Sequence, residues 1–181
     1  MKVRSVKNGA KSMTVARRPV YLLLPTLCSR LGRKTMILVG ELINASRKSV
    51  GSAIENNDVE AVKKLALDQA ENGADYIDAN AGVFVGKEAD YLKWLVETIQ
   101  SATNKPCSID SPDPRAIEAA LAVHKGTAMI NSISLEKERY DALLPIVAGT
   151  DLKVVALCMS DAGMPETAKY CAAAPFSLAI G

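Results

Sequence analysis

Four short apolar runs in this chain stop abruptly at acid, amide or hydroxyl groups. They are MILVG before Glu41 and Asn44, DYIDAN with Asp78 and Asn80, CSID with Asp110, and AMINS with Asn131 and Ser132. Short apolar runs bounded by turn-forming residues read as buried strands. In parallel α/β folds the strand C-termini open onto one face, so polar groups at successive strand ends build a single site from distant segments. The recurrence therefore predicts a fold and a site together.

The segments between these runs carry helical periodicity. After a polar loop over 41–51, Val62, Leu65, Ala66 and Ala70 make an apolar stripe that predicts a helix over about Val59–Asn72, closed by Asn72-Gly73. Strand Asp75–Ala79 follows, then a helix over about Glu88–Ala102 with Leu92, Leu95, Val96 and Ile99 on one side. Trp94 lies near that stripe and is expected to pack in the core. Strand Cys107–Asp110 leads to a helix in which Pro112 and Pro114 fit the first turn and which runs to about His124. Strand Thr127–Asn131, helix Leu135–Ala148 and strand Lys153–Met159 complete five β-α steps, which imply right-handed crossovers and a parallel sheet. A polar group at the end of nearly every consecutive strand favours a barrel over a doubly wound sheet, whose site gathers at one switch point.

Charge divides the chain. Nine of its 22 Lys and Arg fall in residues 1–35, which hold no acid, so residues 36–181 carry 13 bases against 20 acids. The folded part is thus acidic, which argues against a nucleic-acid partner. Residues 1–35 are expected to be a poorly ordered basic extension, and 36–181 the folded domain. The apolar stretch Val20–Leu24 is far too short to cross a bilayer. His124 has no second histidine, and the four cysteines lack CxxC spacing, so neither a protein-held metal site nor a histidine triad is expected. Cys107 and Cys158, inside apolar runs, are expected to be small buried hydrophobes.

Asp110 is the foremost candidate. A carboxylate at a strand end can accept two parallel hydrogen bonds from an N–C–N edge; the competing role, capping the next helix, can be filled by Ser111 or Asp113. Asn131 offers both a donor and an acceptor to a flat heterocycle, with Ser134 better placed than Asn131 to cap the following helix, and Ser132 open to either role. Asp78 and Asn80 share a strand face, and one of them is expected to orient a neighbour rather than touch a ligand. Glu41 and Asn44 stand evenly between site and loop roles.

Taken in order and spacing, VGELINASRKSV, GADYIDANAG, CSIDSPDPRAIEAAL, AMINSIS and VVALCMSDAGMP resemble the methyltetrahydrofolate:corrinoid protein methyltransferases. That group is related to the folate-binding module of cobalamin-dependent methionine synthase and, more distantly, to dihydropteroate synthase. The resemblance covers roughly Met36–Pro165 and implies a (β/α)8 TIM barrel of the pterin-binding type, of which about the first five βα units are present here. It implies that Asp110 binds the pyrimidine edge of a pterin and that Asn131 contacts the same ring system. Asn80 is then a further pocket residue, with Glu41 and Asn44 at the site-facing end of the first strand.

The reaction so implied moves a methyl group between N5 of tetrahydrofolate and the cobalt of a corrinoid carried by a partner protein. A cytoplasmic enzyme of one-carbon metabolism, homodimeric at full length, is the expectation. The resemblance assigns further pterin-binding groups to later strands, beyond Gly181; this chain is accordingly expected to be truncated at its C-terminus, with half a pocket and little activity by itself. No catalytic residue is assigned. Dihydropteroate synthase is the alternative within the fold, and a non-catalytic pterin-binding remnant the alternative outside enzymology.

Overall fold

The computed structural model describes residues 36–164. Expectations for 1–35, and for the stretch after Met164, lie outside the described residues. Five strands, β1 (Val39–Gly40), β2 (Tyr76–Asn80), β3 (Cys107–Asp110), β4 (Met129–Leu135) and β5 (Lys153–Ser160), alternate with helices. The helices are α1 (Lys48–Glu55), α2 (Val59–Glu71), α3 (Glu88–Ala102), α4 (Pro114–Leu121) and α5 (Lys137–Val147). All strand pairs are parallel, and the spatial order β1-β2-β3-β4-β5 is the order in sequence. Such an order has no switch point, and crossovers of one hand put every helix on the same side of the sheet. The result is a curled half-barrel, a partial TIM barrel.

Alternation along the strands creates two unlike faces. Residues paired across parallel strands share a face, so the register Asp78↔Ser108↔Met129 and Asn80↔Asp110↔Asn131 defines one side. The intervening Ile77, Ala79, Cys107, Ile109, Ala128 and Ile130 are fully buried on the other, where they pack in one cluster with Val62, Leu92, Leu95, Val96, Ile99, Ile117, Leu143 and Val147 of the helices. The core thus lies between sheet and helices, and the polar residues occupy the barrel-interior side. Trp94 packs against the core cluster, in line with its expected role.

Several boundaries differ from expectation for local reasons. Helix α1 was not expected in the 41–51 loop. It is only eight residues long, has no side-chain N-cap, and contains Gly51, where an added Cβ would lie 2.5 Å from the Ala45 carbonyl oxygen. Its Val50 and Ile54 are nevertheless buried and hold it in place. Strand β4 runs on to Leu135 instead of stopping at Asn131, with register shifts on either side of Ile133 and Ser134, so α5 starts two residues later than expected. Ser134 does not cap α5: its hydroxyl donates to Glu136 Oε2, and the Lys137 amide is received by Asp161. Asp113 rather than Ser111 caps α4, accepting from the Arg115 amide with Pro114 at the first helical position. Asn72 caps α2, and Gly73 turns the chain at φ +92°.

Cys107 is free and fully buried. Cys158, in contrast to its expected role, is disulfide-bonded, on a strand whose residues are only partly covered. Among the described residues no helix is long and apolar enough to cross a membrane, and no group of three metal-ligating side chains gathers.

Candidate functional site

The strand ends β2, β3 and β4 bring Asn80, Asp110 and Asn131 side by side at one level of the sheet, each partly exposed. Asp78 and Ser108 lie two residues deeper on the same face, and Asp78 is only 2% exposed. Polarity on this face therefore runs from solvent inward. A buried carboxyl there needs partners, because an unpaired one would carry its full desolvation cost.

Asn80 spends both ends of its carboxamide inside the protein. Its Nδ2 donates to Asp110 Oδ2 at 2.8 Å, and its Oδ1 accepts the Gly82 amide at 3.1 Å. It therefore orients Asp110, the role that sequence left open between Asp78 and Asn80. Asp78 Oδ1 receives the Ser108 hydroxyl at 2.7 Å and Asn131 Nδ2 at 3.2 Å. Burial foremost, then the nearby Asp110 carboxylate, pushes the Asp78 carboxyl up to about 7; the Ser108 and Asn131 hydrogen bonds oppose the shift and Glu41 adds to it slightly. The shift favours the protonated acid at pH values where an exposed aspartate is already ionised.

The rim residues fall differently. Glu41 is exposed and acts on Asp78 only through its charge. Asn44 takes the loop role: its Oδ1 accepts the Ser46 amide at 2.9 Å and the Ser46 hydroxyl at 2.6 Å, and its backbone bridges to Asn80 in parallel. Ser132 lies within β4, and its carbonyl oxygen is gripped by Arg139.

Three contributors escaped the sequence reading. Arg139, in the first turn of α5, donates to the carbonyls of Ser132 (2.9 Å from Nε), Ser111 (3.0 Å) and Pro112 (3.1 Å), tying together the segments that follow Asp110 and Asn131. Burial lowers its guanidinium from the ordinary value, with the charges of Asp110 and Glu136 opposing. Glu88, at the start of α3, accepts the Ser111 hydroxyl at 2.5 Å, and Ser111 Oγ in turn accepts the Asp113 amide at 3.0 Å, which fixes the turn after β3. Neither Arg139 nor Glu88 stands in a pattern that marks it. Ser108 does: it is two residues before Asp110, so strand alternation could have placed it on the polar face.

The arrangement presents a carboxylate held by an amide beside a second amide on an adjacent strand end, all on an open polar face. It is suited to hydrogen-bonding the edge of a planar heterocycle. Two surface concavities, of about 520 and 400 Å³, lie elsewhere, the first beside Leu67, Gln100 and Asn104 and the second beside Leu121, Thr127 and Thr150.

Comparison with known proteins matches residues 40–175 to the pterin-binding enzyme family. A methylcorrinoid:tetrahydrofolate methyltransferase of Eubacterium limosum is 38% identical over 134 residues, covering 73% of this chain and 49% of that protein. A methionine synthase of Mycobacterium leprae (strain TN) is 26% identical over 171 residues, 90% of this chain but 14% of that protein. The chain thus spans about half the length of the first relative and a small part of the second.

Proposed function

Since this chain belongs to the pterin-binding enzymes, we propose that it binds the pterin of methyltetrahydrofolate across the strand ends and belongs to a methyltransferase that passes the methyl group between N5 and a corrinoid protein. The relative whose name couples methylcorrinoid with tetrahydrofolate supports this reading over other pterin chemistries. Asp110 receives the paired N–H edge of the 2-amino-4-oxo ring, in the charge-assisted geometry that such an edge favours. Asn131 and Ser132 flank the ring on β4. Asn80 and Asp78 support these contacts from within, and Glu41 and Asn44 shape the rim. The domain so employed is 36–181, with 1–35 as a basic extension; a cytoplasmic homodimer is the assembly we propose.

The observation that carries the proposal is the 2.8 Å hydrogen bond from Asn80 to Asp110 across the central strand ends. A carboxylate already held in place costs little ordering entropy when a ligand arrives. The chemistry asks the protein for orientation and polarity rather than a covalent nucleophile: a tertiary amine leaves poorly unless its nitrogen is hydrogen-bonded or protonated in the transition state. The corrinoid of the partner supplies the cobalt that takes or gives the methyl group.

Calorimetry of the 181-residue chain with methyltetrahydrofolate tests the binding step. We expect binding that Asp110→Ala weakens by roughly 10- to 100-fold, the scale of a hydrogen bond to a charged group. A cooperatively folded chain that takes up no pterin would refute the pocket. Absorbance of a reduced corrinoid protein, followed on mixing with methyltetrahydrofolate and enzyme, tests the transfer. An unchanged corrinoid spectrum, together with pteroate formation from a pterin pyrophosphate, would move the assignment to dihydropteroate synthesis.

A further inference from the structure

A carboxamide has one donating end and one accepting end, so fixing either end fixes what the other presents. The two amides of the polar row are fixed in different ways. Asn80 is saturated internally, by Asp110 on one side and Gly82 on the other. Asn131 has its Nδ2 bound to Asp78 Oδ1 at 3.2 Å, and no hydrogen bond to its Oδ1 forms among the described residues. Asp78 sits one strand layer deeper than Asn131, since Asp78 and Ser108 share the level of Met129. The donating end of Asn131 is thus turned into the protein and its oxygen toward the open strand ends.

We infer that Asp78 is a positioning residue that sets the polarity of Asn131, so that the β4 side of the site accepts from a ring N–H and rejects an acceptor presented there. The inference rests on the pterin reading for its ligand, because a reduced pteridine carries N–H groups on its ring edges. Its structural half stands without a ligand. Asp78 Oδ1 also accepts the Ser108 hydroxyl at 2.7 Å, a bond that anchors the carboxyl independently of Asn131. The groups facing it are the carboxylates of Asp110 on β3 and Glu41 after β1, and the Ser108 and Asn131 donors. The neighbouring Cys107 thiol, pushed up to about 12 by burial and by Asp78, stays neutral. Arg139 acts on Asp110. Both protonation states of Asp78 keep an acceptor for Asn131. Asparagine at this position would keep it too, without the charge.

The test uses the 181-residue chain labelled with ¹⁵N, whose Asn131 side-chain amide signals report the hydrogen bond directly. Between pH 5.5 and 8.5 these signals are expected to titrate with a midpoint of about 7, following Asp78. In Asp78→Asn they should stay dispersed but become flat with pH; in Asp78→Leu they should collapse toward the free-amide position. With methyltetrahydrofolate as probe, Asp78→Asn should bind within about threefold of the parent and Asp78→Leu about tenfold or more weaker, the scale of one buried hydrogen bond. Asn131 signals that ignore both pH and Asp78→Leu would overturn the inference, as would unweakened binding by a folded Asp78→Leu. Should Asp78→Leu fail to fold by circular dichroism, the Asp78→Asn pH profile decides alone: a titration that persists without the carboxyl overturns it. Titrating amide signals in a parent chain that binds no pterin would uphold the positioning role and refute the pterin reading instead.

Discussion

His124, the single histidine, fastens the start of β3 to the turn that precedes β4. Its Nε2 accepts the Cys107 amide at 2.9 Å where β3 begins, and its Nδ1 faces the Gly126 carbonyl at 3.2 Å, which requires a neutral ring protonated on Nδ1. Burial lowers its pKa below the ordinary value, with the Gly126 hydrogen bond opposing. A depressed value contributes stability that is present above the unfolded pKa, near 6.5, and lost as pH falls through the folded one. Asp78 works the other way: its raised pKa favours the native state at low pH, and that contribution disappears as pH rises toward 7, by roughly 2–4 kcal/mol. Urea unfolding at pH 5.5 and 7.5 separates the two. His124→Gln is expected to lose less stability on acidification than the parent, and Asp78→Asn to gain relative to the parent at pH 7.5; equal slopes in all three proteins would rule out both assignments. At this scale the placement of Asp110 and Asn131 side by side on one sheet face was legible, because the apolar runs that precede them mark the strands. The division of labour between Asp78 and Asn80 was not, since both satisfy the same alternation and only their partners differ.

At the scale of elements, legibility followed periodicity. Helix α3 and strand β3 have the bounds their patterns predict, because a full apolar stripe and a complete apolar-polar alternation leave little choice. Helix α1 was hidden by a glycine required by contact with the Ala45 carbonyl, and the far half of β4 by a register shift that no local pattern announces. Strand β1 is shorter than its apolar run: only Val39 and Gly40 pair with β2. Its Gly40 lies against α2, where an added Cβ would fall 2.6 Å from Gln69 Oε1 and 3.1 Å from Gln69 Cβ. That same Oε1 accepts the Leu42 amide at 2.8 Å, so Gln69 holds the strand exit toward Glu41. Gly40→Val should therefore cost about 1–3 kcal/mol in denaturant unfolding, through overpacking and the lost hydrogen bond. Combining it with Gln69→Ala should recover part of that loss. Strict additivity of the two substitutions would show that the contact is not the cause.

Across the whole molecule, one sheet serves two purposes on its two faces. Ile109 and Asp110 are chain neighbours, yet Ile109 is fully buried among the helices while Asp110 stands on the polar side. Ile109→Ala should lower unfolding stability by about 2–5 kcal/mol. Where that variant stays folded, its methyltetrahydrofolate affinity should be close to the parent's, whereas Asp110→Ala should do the reverse. Paired melting and calorimetry would refute this separation if either substitution moved both quantities together. The number of strands, their parallel succession and the identity of the polar face were all contained in the sequence, because side-chain period and segment spacing are local properties. What the tertiary structure alone decided is which polar groups meet. Asn80 reaches Asp110, Ser108 and Asn131 reach Asp78, and Arg139 reaches the turn after β3 and the Ser132 carbonyl within β4, over separations of up to 53 residues. Those partnerships depend on strand register and helix placement, which the packed core determines and which one segment read alone does not specify.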